Sequence, residues 1–169
     1  MGQDFTEISS NIGASSYGSS DWGDFDNDGD LDLVFNGESY PNRIFENFGD
    51  SISTTAVWES TDASQYANSL FVGDVNSDGF LDLAIADNNQ LGGQGKFKIY
   101  LNNNGTLNTT PFWQSSFSGY GLVIMIADID NNTIQNVFSE GSEDLKSLFS
   151  RWGKCQLPSY YECSYEIVK

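Results

Sequence analysis

Short stretches in which apolar and polar residues alternate run along most of the chain, and clusters of Gly, Asn, Asp and Ser separate them. An alternation with a period of two predicts strands with one buried face, and the separating clusters predict tight turns. In the first part of the chain, the pattern predicts four strands at residues 19–24, 31–36, 43–47 and 54–59. We therefore expect an all-β fold that is built from short antiparallel strands.

The same order of strands and turns recurs along the chain. An acidic segment follows the first strand of each unit and begins at Asp24, Asp74 and Asp128, so the segments lie 50 and 54 residues apart. Behind the first two segments, residues 42–60 and 97–115 carry matching Ile, Asn, Thr and Trp residues. A sandwich with chance similarity does not predict this equal spacing, whereas β-propeller blades do. The pattern predicts a partial β-propeller of two full four-stranded blades and part of a third.

The repeat pattern stops before the end of the chain, which divides it into blade repeats over residues 1–136 and a non-repeat tail over residues 137–169. In the tail, residues 143–152 have apolar side chains at helical spacing and predict a short C-terminal helix. This helix either covers the open edge of the last blade or belongs to a tail that packs poorly. Cys155 and Cys163 either close a small disulfide loop or are free thiols.

The composition is strongly acidic. The chain has 24 Asp and Glu residues against 7 Lys and Arg residues, which gives a formal net charge of −17 over 169 residues. This charge disfavours nucleic acid and anionic membranes as partners, because counterion release at phosphates requires basic side chains. No apolar run reaches the ~20 residues that a membrane helix requires, so we expect no membrane span. Cations are the natural ligands of such a chain.

Two acidic loops, residues 24–32 and 74–82, follow the pattern D-x-[DN]-x-[DN]-G-x-x-D. Their oxygen atoms converge only if the chain turns sharply, and the Gly at position 6 permits this turn by taking a positive φ. Oxygen sets rich in carboxylates suit Ca²⁺ better than Mg²⁺, which demands a strict octahedron. The predicted calcium ligands are the side chains of Asp24, Asp26, Asp28 and Asp32 with the carbonyl of Asp30, and the side chains of Asp74, Asn76, Asp78 and Asp82 with the carbonyl of Phe80.

The alternative to metal binding is that Asp, Asn and Gly simply favour turns in these loops. Ordinary hairpins use two to five connecting residues and do not require carboxylates at four fixed positions, which favours the metal site. An EF-hand is excluded, because Phe35 or Ile85 stands where that motif needs a Glu. In a third loop, residues 128–136, Thr133 replaces the Gly and Asn136 replaces the last Asp, so we expect weak or absent binding there.

The stretches "DWGDFDNDGDLDLVFNG" and "FVGDVNSDGFLDLAIAD", with "IYLNNNGTLNTTPFW" behind the second, resemble the FG-GAP/VCBS-type repeats of β-propellers, a family that includes the calcium-binding blades of integrin alpha subunits. The resemblance covers roughly residues 10–135. It implies Ca²⁺ in the loop between the first two strands of each blade, and an extracellular or cell-surface protein that binds protein or glycan ligands through exposed loops. It also implies a closed ring of about seven blades, within the range of known propellers. Self-association, additional blades from a partner chain and an open fragment all fit the smaller number of blades in this chain.

Catalysis has little support in the sequence. The chain has no His, no G-x-S-x-G elbow and no phosphate-binding loop, so we expect a protein that is not an enzyme. The leading hypothesis is an extracellular binding or adhesion module in which Ca²⁺ is structural, although the first ten residues do not form a signal peptide. The alternatives are a lectin-like unit that binds glycans through residues 88–97, and a non-catalytic accessory part of a polysaccharide-degrading enzyme.

Overall fold

A computed structural model describes most of the first 127 residues with their side chains, and two later strands as backbone. The described ranges are 12, 18–37, 40–62, 66–88, 94–116, 118–121 and 123–127 with side chains, and 136–140 and 164–167 as backbone. Within these ranges the fold is all-β, as predicted, and no helix there is long and apolar enough to cross a membrane. The predicted helix at residues 143–152, both cysteines and residues 128–135 of the third acidic loop lie outside the described residues.

Two four-stranded antiparallel sheets follow one another along the chain. The first sheet, blade 1, has its strands in sequence order: β1 (Ser20–Gly23), β2 (Asp32–Phe35), β3 (Arg43–Phe45) and β4 (Trp58–Glu59). The second sheet, blade 2, repeats this order: β5 (Ala67–Gly73), β6 (Asp82–Asp87), β7 (Phe97–Tyr100) and β8 (Trp113–Gln114). The meander in sequence order is the strand arrangement of a propeller blade.

A third sheet follows blade 2. It contains β9 (Val123–Ala127), β10 (Asn136–Glu140) and β11 (Ser164–Ile167), with β10 in the middle. The predicted boundary at residue 136 therefore falls on the first residue of β10, and the region predicted as a non-repeat tail contributes a paired strand. Sequence repetition did not indicate β11, because strand pairing in a sheet does not require a repeated motif.

All four predicted strands of blade 1 are present, but each is shorter than expected, and the third and fourth stop short of the turn that joins them. Strand β3 ends at Phe45, and Asn47 makes only an isolated bridge to Ile52. Strand β4 begins at Trp58, although the N–H of Val57 already donates to the carbonyl of Ile44. Apolar alternation alone had extended both strands into the turn that joins them.

The blades pack face to face through apolar side chains. Between blades 1 and 2, the buried cluster consists of Phe25, Val34, Ile44, Ala67, Leu70, Leu83, Ile85, Tyr100 and Leu107. Trp58 packs against this cluster, and its ring meets the ring of Tyr100 edge-on with centroids 5.7 Å apart. Burial of this apolar surface is the main force that holds the two blades together.

Blade 2 packs against the third sheet through its other face. Ala84, Ala86, Phe97 and Ile99 form this interface with Ile124 and Ile126 of β9. Strand β6 lies between blade 1 and the third sheet, so all its residues are buried. Burial on both faces explains the continuous apolar run "LAIA". The next face is open: Val123 and Met125 of β9 are 40% and 55% exposed. Strand β5 also contacts β1 and β9, so the first strands of the three sheets lie side by side in a partial β-propeller.

A polar network ties the link between the blades to blade 2. Lys98 is only 1% exposed, and its Nζ lies 2.6 Å from Oδ2 of Asp62, which comes directly after blade 1. The hydroxyl of Tyr100 donates to Asp62 at 2.7 Å. A buried lysine requires such a partner, because an unpaired charge in the interior is strongly destabilising.

Candidate metal centre

The two acidic loops share one backbone conformation. Each leaves the first strand of its blade and returns at the second, and the glycine at position 6 has a positive φ in both, 98° at Gly29 and 90° at Gly79. The predicted turn at these glycines is confirmed. A second positive φ, 62° at both Asn27 and Ser77, was not predicted. The Asn at position 4 was the available signal, because Asn enters the left-handed region more readily than most residues.

The first aspartate of each loop is bound by the backbone of the turn. Asp24 accepts hydrogen bonds from the N–H groups of Asp28 at 3.0 Å and Gly29 at 3.1 Å. Asp74 accepts the matching bonds from Asp78 at 3.1 Å and Gly79 at 2.8 Å. These bonds curl the chain around the first carboxylate, so that the later side chains of the loop come close to it.

Three carboxylates meet in the first loop. Asp24, Asp26 and Asp28 each offer an oxygen atom, and these atoms all lie within 4.8 Å of one another. Asp24 is partly buried, while the other two are exposed. The basic side chains that the structure describes bond elsewhere: Arg43 to Glu59, Lys98 to Asp62, and Lys96 to the carbonyls of Ser115 and Ser116. No described basic side chain therefore offsets the charge of this cluster, and a hard cation with oxygen ligands fits it.

The second loop places Asp74, Asn76 and Asp78 in the same pattern with less charge. The amide nitrogen of Asn76 donates to Oδ2 of Asp78 at 2.9 Å, and its oxygen accepts the N–H of Asp78 at 3.0 Å. The amide thus replaces the second carboxylate of the first loop. In both loops, the side chains at positions 1, 3 and 5 carry oxygen atoms that can ligate a cation.

The last aspartate of each loop lies buried at the loop base. Asp32 accepts the N–H groups of Phe25 at 3.2 Å and Asn47 at 3.0 Å. Asp82 likewise accepts those of Val75 and Asn102, both at 2.8 Å. Both side chains therefore bind the loop to the residues that follow the third strand of its own blade, a role that the sequence alone did not indicate.

Burial raises the pKa of both Asp32 and Asp82 above the usual value for Asp, because it disfavours the charged form. The two backbone hydrogen bonds at each carboxylate lower the pKa, but they do not outweigh burial. Repulsion from nearby aspartates of the same loop raises the pKa of each group further. The proposed metal-ligand roles of Asp32 and Asp82, and of the Asp30 and Phe80 carbonyls, stay predictions.

Asn47 and Asn102, the matching Asn residues of the two repeats, follow the third strands and support the loops by hydrogen bonds. The amide of Asn47 donates to the carbonyl of Leu31 at 3.0 Å within blade 1. The amide of Asn102 donates to Leu81 at 3.1 Å in blade 2, and also to the carbonyl of Phe25 in the loop of blade 1 at 2.7 Å. Asn102 thus joins the two loops. The recurrence of Asn at this place in both repeats was the signal.

The glycan-binding hypothesis depends on residues 88–97, of which 89–93 lie outside the described residues, so it stays a prediction. The same holds for metal binding in the third loop.

Comparison with known families agrees with the geometry of the repeats. The profile of the FG-GAP-like repeat matches the chain twice, over residues 24–85 and 74–139. Each match begins at the first aspartate of an acidic loop. No curated protein matches the chain significantly.

Proposed function

Because the chain belongs to the FG-GAP-like repeat family, we propose that it is a calcium-stabilised β-propeller module that binds a partner outside the cell and carries out no catalysis. The observation that supports calcium most directly is the convergence of Asp24, Asp26 and Asp28 on one point. Repeats of this family often bind Ca²⁺ and are typical of extracellular proteins, which supports both the ion and the setting.

In this proposal, calcium is held by the acidic side chains of each loop. Bound Ca²⁺ supplies the positive charge that offsets the repulsion among the carboxylates, which no described basic residue relieves. The aspartates hold the ion, and Asp32 and Asp82 connect the loop to the residues that follow the third strand. Binding to the folded loops alone stabilises the fold by about 2.7 kcal/mol per site at a hundredfold excess of calcium over Kd.

In the proposed adhesive role, calcium is structural: it holds the loops rigid and does not itself contact the partner. Loops that are held rigid lose little conformational freedom when a partner binds, and this favours affinity. Extracellular calcium modules commonly bind with Kd values of about 10⁻⁴ to 10⁻³ M. A module of this kind would be loaded outside cells and would lose stability at low calcium.

Isothermal titration calorimetry and thermal unfolding test the proposal. We expect calcium uptake by both described loops, and a higher melting temperature with calcium than with EDTA. Asp28→Ala should remove uptake by the first loop and reduce the calcium-dependent stabilisation. Asp50→Ala is the matched control, because Asp50 is an exposed carboxylate outside both loops. If the folded protein takes up no calcium, or if both variants behave alike, the proposal is wrong.

A further inference from the structure

A small cavity lies between blades 1 and 2, beside the first acidic loop. Its volume is about 240 Å³, and Phe25, Ile44 and Leu107 provide buried apolar walls. Asp26, Asp32 and Glu46 of blade 1 also line it. The cavity therefore combines apolar walls with acidic residues.

Blade 2 closes one side of this cavity with a tight turn. Gly105 has a φ of +84°, and a Cβ there would lie 3.5 Å from the Cα atom of Asp26. Thr106 and Leu107 continue the same side, and the carbonyl of Leu107 accepts the indole N–H of Trp58 at 2.9 Å. Both blades are thus needed to form the cavity, and contacts between them hold its walls in place.

The repeat shows which of these side chains the fold itself requires. Glu46 directly follows β3. The residue 55 positions later, in blade 2, is Leu101, which packs against the apolar core. In the acidic loops, which lie 50 positions apart, Asp26 corresponds to the neutral Asn76. The blade plan therefore accepts an apolar residue at the position of Glu46. A carboxylate at that position in blade 1 is not explained by packing.

The carboxylate of Glu46 makes no hydrogen bond or ion pair with any described residue, while Glu46 is only partly exposed. Three acidic residues, Asp26, Asp32 and Glu46, line the cavity, and the described basic side chains all bond elsewhere. The cavity therefore attracts a cation that also has an apolar part.

We propose that this cavity receives a lysine side chain of a protein partner. The methylene stem of lysine would lie against Phe25, Ile44 and Leu107, as such stems do on apolar surfaces, and its ammonium group would pair with Glu46 at the negative end. A volume of about 240 Å³ is below the ~300–1,000 Å³ of typical small-molecule pockets. One side chain therefore fits the cavity better than a saccharide chain does.

The test uses calcium-saturated protein at constant ionic strength and follows backbone amide signals by NMR. The probes are Nα-acetyl-lysine methylamide and Nα-acetyl-norleucine methylamide, which has a similar stem without the charge. We expect the lysine probe to shift the amide signals of Glu46, Thr106 and Leu107 and to bind about tenfold more tightly than the norleucine probe. Equal affinities, or shifts spread over the acidic surface, would overturn the proposal.

Variants of Glu46 provide a second test of the proposed lysine site. Glu46→Gln and Glu46→Leu should each weaken lysine binding about tenfold, and the second introduces the residue that blade 2 has. Glu59→Gln removes the same charge from the opposite face of blade 1 and should change affinity less than twofold. Unchanged affinity in both Glu46 variants would also overturn the proposal. The proposal does not rest on calcium binding, and calcium uptake measured on the same samples shows separately whether the loops are loaded.

Discussion

The acidic loops of blades 1 and 2 have nearly the same backbone and very different charge. Each has two positive φ angles at the same places, and each binds its first aspartate by the same two N–H groups. The first loop carries five aspartates and the second carries three. Turn residues and side-chain hydrogen bonds to the backbone therefore set the shape of the loop, and shape does not depend on the number of carboxylates.

The loops also differ in their support from neighbouring blades. Asn47 bonds only within blade 1, whereas Asn102 bonds within blade 2 and also to the carbonyl of Phe25 in blade 1. The second contact of Asn102 requires a preceding blade, and the described part of the chain contains none before blade 1. The Asn of this repeat therefore has two structural roles. It supports the loop of its own blade, and where another blade precedes it, it also binds the loop of that blade.

The largest expected difference between the blades concerns these asparagines. Asn102→Ala leaves two carbonyl groups without their amide donor in a buried site, and should lower the free energy of unfolding by about 2–3 kcal/mol. Asn47→Ala removes the bond to the carbonyl of Leu31 and the bond from the N–H of Gly49, both at exposed sites where water can replace them, and should cost about 1 kcal/mol. Urea unfolding of both variants in saturating calcium measures the difference. Equal losses would show that the contact between the blades contributes little.

Substitution of the two glycines should have similar effects in both loops. Gly29→Ala and Gly79→Ala meet no atom within 4 Å, so the cost comes from the positive φ alone. We expect each variant to lose about 1–2 kcal/mol of stability. Thermal unfolding in EDTA is the suitable measurement, because it separates backbone strain from calcium affinity. A loss in only one loop would contradict the shared geometry.

The smallest expected effect is a change in calcium affinity when charge is exchanged between the loops. Asp26→Asn gives the first loop the amide of the second, and Asn76→Asp does the reverse. We expect the first change to weaken and the second to strengthen calcium binding at its own loop, each by about tenfold or about 1.4 kcal/mol. Calorimetric titration of the two single variants measures this. Tighter binding by Asp26→Asn with weaker binding by Asn76→Asp, or no change in either loop, would mean that position 3 does not ligate the ion.

Much of the fold was predictable from the sequence, because each blade repeats its own local signals. Alternating residues indicated the strands, and the glycine at position 6 indicated the turn at Gly29 and Gly79. All four strands of blade 1 were predicted too long, most of all the fourth, which was expected at residues 54–59 and begins at Trp58, because the sequence does not show where pairing between strands stops. Strand β11 was missed, because its pairing with β10 joins residues far apart in the chain.

The candidate site, like the fold, was predicted only in part from the sequence. The sequence identified the aspartates, since their spacing is a local property of the loop. It did not show that Asp32 and Asp82 hold the loop to the residues that follow the third strand, or that Asn102 bonds to the neighbouring blade. Those contacts depend on how separate strands and blades come together.

The sequence by itself determined the blade repeat, the two glycine-centred acidic loops and the strong negative charge, because each follows from residues within one unit. Only the tertiary structure decided which faces are buried, how Lys98 finds Asp62, and that Glu46 borders a cavity closed by the turn at Gly105. The physical reason is that these contacts join residues far apart in the chain, 36 positions for Asp62 and Lys98 and 49 positions for Trp58 and Leu107. No local pattern of side chains encodes which of them will meet.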